Sequence, residues 1–271
     1  MAMVTLTSIG TSPGITTTAV ALAVEWPKPV ILVEADISKP SSVIAGYMQC
    51  QISGKRGLST LAEISAMSSV DRESILGSCV PLTSTGEDEG TENLLLPAIS
   101  NPEAGHGITT MWGELAEELT AFEASGYDVI VDLGRWTGNK DRRIALAERS
   151  DVMLYGLQPT FSALAALDYG KKSIEPLRDA VGRGDSSSAV LYQPAVGGSS
   201  TREVKKFLNM GISGEIPFAP KQAAVFSQGE PSSKRMMMRD SYMSAIRALR
   251  AKIFKDLDKT RELIQEESDA G

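Results

Sequence analysis

Three short segments hold the residues whose types and spacing can do chemistry. The first is Ser8-Ile-Gly-Thr-Ser-Pro-Gly-Ile-Thr-Thr-Thr18, which follows a β-branched run and opens an Ala/Thr-rich stretch with helical character. Gly10 and Gly14 let the backbone curl around an anion. The amides of Gly14, Ile15, Thr16 and Thr17 then stand at a helix N-terminus, where unpaired N–H groups and the helix dipole attract phosphate. The Thr16 hydroxyl is placed to reach a divalent cation. The second segment, Val30-Ile-Leu-Val-Glu-Ala-Asp36, and the third, Tyr127-Asp-Val-Ile-Val-Asp-Leu-Gly134, are apolar runs that end in acids. A carboxylate at the end of a buried strand is costly without a partner or a metal. The plainer alternatives are that the loop is ordinary strand-to-helix turn chemistry and that Asp36 and Asp132 cap the turns after them.

The elements that must position these groups can be read from the same pattern. Near-continuous apolar runs at 30–33, 94–96, 129–131, 152–155 and 189–192 suit strands covered on both faces. Helical periodicity lies between them, as at 112–122 and 161–177. Strands alternating with helices predict an α/β fold: a doubly wound, mostly parallel sheet with helices on both faces. Its ligands then belong at the C-terminal edge of the strands. The alternation runs through the acidic stretch 83–93 and the GRGDSSS stretch 182–188, so one domain is expected over residues 1–265, with a disordered tail at 266–271. The RGD triplet there is read as chance.

With those residues in view, the chain resembles the ParA/MinD family of P-loop ATPases, whose phosphate loop has the form KGGxGKTT. Matched on Gly14, Thr16 and Thr17, the signature lysine falls at Gly10 and the Walker lysine at Ile15, so both lysines are absent. Asp36 matches the acid that helps organise the attacking water and magnesium, with Glu34 at the first acidic place. Asp132 matches the Walker B aspartate. Gly214-Glu-Ile-Pro-Phe-Ala-Pro220 resembles the turn beside the adenine pocket, and Tyr192 stands where the family often has Asn. Residues 3–255 follow the family's stations in order. The resemblance implies a nucleotide loop of Gly10, Thr11, Ser12, Gly14, Ile15, Thr16 and Thr17, with Pro217 and Phe218 at the base. It also implies magnesium at Thr16, Asp36 and Asp132, catalysis by Asp36, and ATP with Mg2+ as cofactors.

Without the lysines, phosphate contacts worth about 1.5–3 kcal/mol each are lost, and Pro13 removes a loop amide. Weak or absent ATP hydrolysis follows. Lys39 and Arg135, each three residues beyond an acid, are candidate replacement cations or ordinary surface charges. The family role is a spatial organiser that dimerises and positions DNA or a membrane or pilus machine, with ParB-like or pilus and secretion components as partners. The alternative is a non-catalytic scaffold of the TadZ/CpaE type. A ligase on the same fold fits less well, since it needs the loop lysine.

Bulk composition narrows the remaining classes. At 271 residues, 42% apolar and 23% charged, the chain has the make-up of a globular protein, and no apolar run suits a membrane span. A cytoplasmic protein is expected, with peripheral attachment to a membrane or nucleoid left open. The formal charge of −7 argues against a surface that grips nucleic acid all over. Cys50, Cys79 and the single His106 lack metal-ligand spacing and are read as two buried or half-buried thiols and a lone histidine. Residues 240–265 form a basic amphipathic helix that either packs on the sheet or lies on an anionic membrane. The basic run 234–239 is either a partner or DNA patch or a surface turn.

Overall fold

The computed structural model describes residues 2–9, 11, 13–53, 55–82, 92–100, 104–138, 140–180, 186–233, 237 and 240–269. Gly10 and Ser12, nearly all of the acidic stretch 83–93, residues 182–185 and most of the basic run 234–239 lie outside the described residues.

The chain runs β1 (Met3–Ser8), α1 (Ile15–Val24), β2 (Val30–Glu34), a π-helical turn (Val43–Tyr47), α2 (Leu58–Ser65), α3 (Arg72–Ser78), β3 (Val80–Pro81) and β4 (Asn93–Leu96). It continues through α4 (Ala104–Ala121), a 3-10 turn (Phe122–Ser125), β5 (Asp128–Arg135), α5 (Ile144–Glu148), β6 (Val152–Leu157) and α6 (Phe161–Ala180). It ends with β7 (Ser187–Tyr192), α7 (Thr201–Leu208), β8 (Gly211–Ile216), α8 (Pro220–Gln228) and α9 (Ser241–Asp269).

The eight strands form one sheet in the order β3-β4-β2-β5-β1-β6-β7-β8, parallel at every pair except β3–β4. This is the expected doubly wound architecture. The antiparallel β3 was not anticipated from the sequence; it is two residues long, and its Pro81 suits an edge position. β7 begins at Ser187, earlier than the apolar run implies. Ser187 and Ser188 are buried, and the Ser188 and Ser213 hydroxyls bond across to β8 at 2.6 Å, so polar residues extend the strand.

Side-chain alternation of period two divides the core. Ile31, Val33, Val129, Val131, Met153, Tyr155 and Leu191 face α2 to α7, whereas Val30, Leu32, Ile130, Leu154, Val190 and Tyr192 face α1, the π turn, α8 and α9. Asp132, one residue past Val131, therefore points to the α1 side.

The apolar stripe of α9, from Tyr242 and Met243 through Ile246, Leu249, Ile253 and Leu257, is buried in that second core. Arg247 Nε donates to Glu25 Oε2 at 2.8 Å, and the Trp26 and Phe254 rings pack in a tilted pair with centroids 4.9 Å apart. The helix thus packs on the sheet and runs beyond residue 265 to Asp269. Among the described residues no helix is long and apolar enough to cross a membrane. Cys79 is buried, its thiol pushed up to about 12 by burial, while Cys50 is exposed, in contrast to the buried or half-buried thiol expected; both are free.

Candidate functional site

The C-terminal ends of β1, β2 and β5 meet the start of α1 in a cleft lined by Gly14–Thr17, Asp36, Lys39, Ser42, Gly134, Arg135 and Phe226–Gln228. Gly14 caps α1 with φ 110°, a left-handed conformation that favours glycine, and no side chain caps the helix. The first amides of α1 are therefore left without intrahelical partners at the cleft mouth. Thr18 N closes the first turn onto Gly14 O at 3.0 Å. The Thr11 hydroxyl is buried without a hydrogen-bond partner among the described residues.

Asp132 is 1% exposed. Its Oδ1 accepts the Gly134 amide at 2.8 Å, and its Oδ2 has no partner among the described residues. Burial is the main cause that raises its pKa to about 6, and Glu34 and Asp36 add to it. The Thr16 hydroxyl and the Gly134 amide oppose the rise; Thr16 is near enough to act electrostatically but makes no well-formed bond to Oδ2.

Glu34, beside Asp132 in the strand register, is fully engaged. It accepts Ser42 N at 2.7 Å, Ser42 Oγ at 2.8 Å and Ser41 Oγ at 2.5 Å, which anchors the start of the π turn. Asp36 Oδ1 accepts Ser38 Oγ at 2.6 Å and Ser38 N at 3.1 Å, while Oδ2 lies 3.7 Å from Lys39 Nζ. The Asp36 carboxylate presses on Gly134, where φ is +60° and a Cβ would fall 2.5 Å from Oδ2.

The loop departs from a cation-bearing cradle at Ile15. Its side chain is 4% exposed and belongs to the second core. Cδ1 rests over Gly156 beside the Tyr192 ring, and the Tyr192 hydroxyl donates to Thr18 Oγ1 at 2.9 Å. Lys39 and Arg135 also line the cleft.

The structure thus brings Gly14, Ile15, Thr16, Thr17 and Asp36 to one cavity; Asp132 is buried near Thr16 and does not itself line it. Pro217 and Phe218 follow β8 and do not line it; Phe218 is 59% exposed. Phe226, Ser227 and Gln228 do line it. The sequence reading, which placed Pro217 and Phe218 at the base, did not name them.

A second unforeseen residue is Arg143, only 4% exposed. Its guanidinium donates to the carbonyls of Leu133, Ala35 and Arg135 and to both oxygens of Asp141, so it ties the end of β2 to the end of β5. Nothing local marks it, because it follows no apolar run. Among the described residues no three His, Cys, Asp or Glu side chains converge as a metal cage. The donor set fits Mg2+ all the same: one unpaired buried carboxylate oxygen and a hydroxyl suit an ion that keeps waters and takes ligands from phosphates.

The solved structures that resemble this chain share its fold. A ParA family ATPase from Chlorobium tepidum superposes with a TM-score of 0.65 at 15% identity, over 90% of this chain and 95% of that one. The septum site-determining protein MinD of Pyrococcus horikoshii, complexed with Mg-ADP, gives 0.68 at 13% identity, over 93% and 95%. The fold is that of the ParA/MinD ATPases. Apo McdA of Cyanthece is similar too, with a TM-score of 0.63 at 13% identity over 92% and 99%. No family model matches the sequence, and no curated protein does.

Proposed function

We propose that the protein is a spatial organiser of the ParA/MinD kind whose cleft holds Mg2+ and ATP weakly, with slow or no hydrolysis. The observation that carries this reading is the buried, unpartnered Asp132 Oδ2 near Thr16, at the open N-terminus of α1. Such an atom costs free energy unless a cation or water satisfies it. Thr16 and, through water, Asp132 would hold Mg2+, which supplies positive charge against the nucleotide phosphates. The α1 amides would cradle the phosphates, and Asp36 would orient the attacking water. Lys39 and Arg135 would supply part of the charge missing from Gly10 and Ile15. Dimerisation and a cargo-side partner, ParB-like or from a pilus or secretion machine, complete the role.

A second reading is a non-catalytic scaffold, and the burial of Ile15 favours it: the Walker position serves packing instead of phosphate. Calorimetric titration with ATP and Mg2+, alongside molar mass by light scattering, separates the two. Weak binding with nucleotide-driven dimerisation supports the switch. A mass indifferent to ATP supports the scaffold. Hydrolysis at a rate typical of intact ParA proteins, abolished by Asp36→Ala, overturns both.

A further inference from the structure

Asp36, Lys39 and Arg135 form a wall with two sides. One side is the phosphate cleft, about 280 Å3; the other is a separate cavity of about 670 Å3 between the end of β2, α4 and the loop after β5. Five cations line the larger cavity: Lys39, Arg135, Lys140, Arg142 and Arg143. Among the described residues two acids do, and both are engaged: Asp141 with Arg143, and Asp36 with Ser38 and Lys39. The side chains of Lys140 and Arg142 are exposed and make no ion pair or hydrogen bond among the described residues. This concentration of positive charge stands in a chain whose formal charge is −7.

We propose that this basin binds a short acidic peptide segment of a protein partner. Guanidinium forks match carboxylates in geometry as well as charge, and lysine adds point charges around them. The volume is far more than one phosphate or carboxylate fills, so the occupant carries several anionic groups. Ile37 and Trp112 supply an apolar floor for side-chain methylenes. A long polyanion such as duplex DNA fits less well, since it needs an extended basic face and the net negative surface repels it. The proposal does not depend on nucleotide binding.

Fluorescence anisotropy with fluorescein-labelled hexaglutamate tests it on the full chain, with hexaglutamine as the neutral control. Lys140→Glu/Arg142→Glu is compared with Lys205→Glu/Lys206→Glu, which makes the same charge change on α7. Saturable binding weakened about tenfold or more by the first pair, and about twofold or less by the second, is expected. Equal loss in both variants, no saturable binding, or tighter binding of a DNA duplex that the first pair abolishes would each overturn it. Titration of Mg2+ and ATP into the same first variant, expected to match wild type, keeps this result separate from that of the nucleotide reading.

Discussion

Ile15 lies with its Cδ1 so close over Gly156 that a β-carbon added there would stand 2.2 Å away. The residue that the family resemblance matches to the Walker lysine is a core side chain, and Gly156 in β6 leaves the space that receives it. The same hypothetical carbon would approach the buried Tyr192 ring to 2.9 Å, and Tyr192 is fixed by its bond to Thr18. Gly156→Ala should therefore destabilise the fold by about 1–3 kcal/mol. Adding Ile15→Val should recover part of that loss, giving a favourable coupling of about 0.5 kcal/mol or more. Urea denaturation of the four proteins in the cycle measures both values.

Ile15→Lys would place a positive charge at the position that the resemblance matches to the Walker lysine, at a structural cost. Removing a fully packed isoleucine costs about 2–5 kcal/mol, less whatever the lysine stem recovers by extending into the cleft. Its ammonium should tighten Mg2+-dependent ATP binding about tenfold or more. A lower Tm together with a lower Kd in calorimetry is the expected pair of results. Of the loop's design, the absence of the lysine was legible in the sequence. The burial of its replacement was not, because the direction of Ile15 depends on Gly156 and Tyr192, more than 140 residues away.

Asp132 in the folded protein has a pKa of about 6, above its ordinary value of 3.8. The folded state then holds this proton more tightly than the unfolded chain. Its contribution to stability is present below about pH 4 and is lost as pH rises through about 6, in the limit about 3 kcal/mol. Asp132→Asn should thus raise the Tm of the nucleotide-free protein at pH 7.5. The same change should remove any increase in Tm that Mg2+ and ATP give the wild type. Thermal melts with and without Mg2+ and ATP check both halves.

Asp141 behaves in the opposite sense. Burial raises its pKa, but the hydrogen bond and charge of Arg143, helped by the Thr137 hydroxyl, outweigh this and hold the carboxyl below its ordinary range. The stabilisation is therefore complete above about pH 4 and is lost as pH falls through the lowered value. Asp141→Asn should flatten the acid limb of the stability profile. Arg143→Ala should cost about 3–5 kcal/mol, because it leaves a buried carboxylate and three strand-end carbonyls without their donor. Denaturant midpoints between pH 3 and 7, about one unit apart, test this pair.

The sequence by itself determined the alternation of strand and helix, the order of the acidic strand ends and the missing lysines, because each depends on local pattern. Apolar runs covered on both faces, a glycine that needs positive φ at Gly14, and the acids at Asp36 and Asp132 can all be read within a few residues. Tertiary structure alone decided which groups meet. It turned Ile15 into the core, brought Phe226–Gln228 into the cleft in addition to the residues foreseen, and ran Arg143 across two strand ends. It also set Lys39 and Arg135 in one wall between two cavities. Those outcomes follow from the sheet order and from period-two facing, which join residues about a hundred positions apart that no local pattern connects.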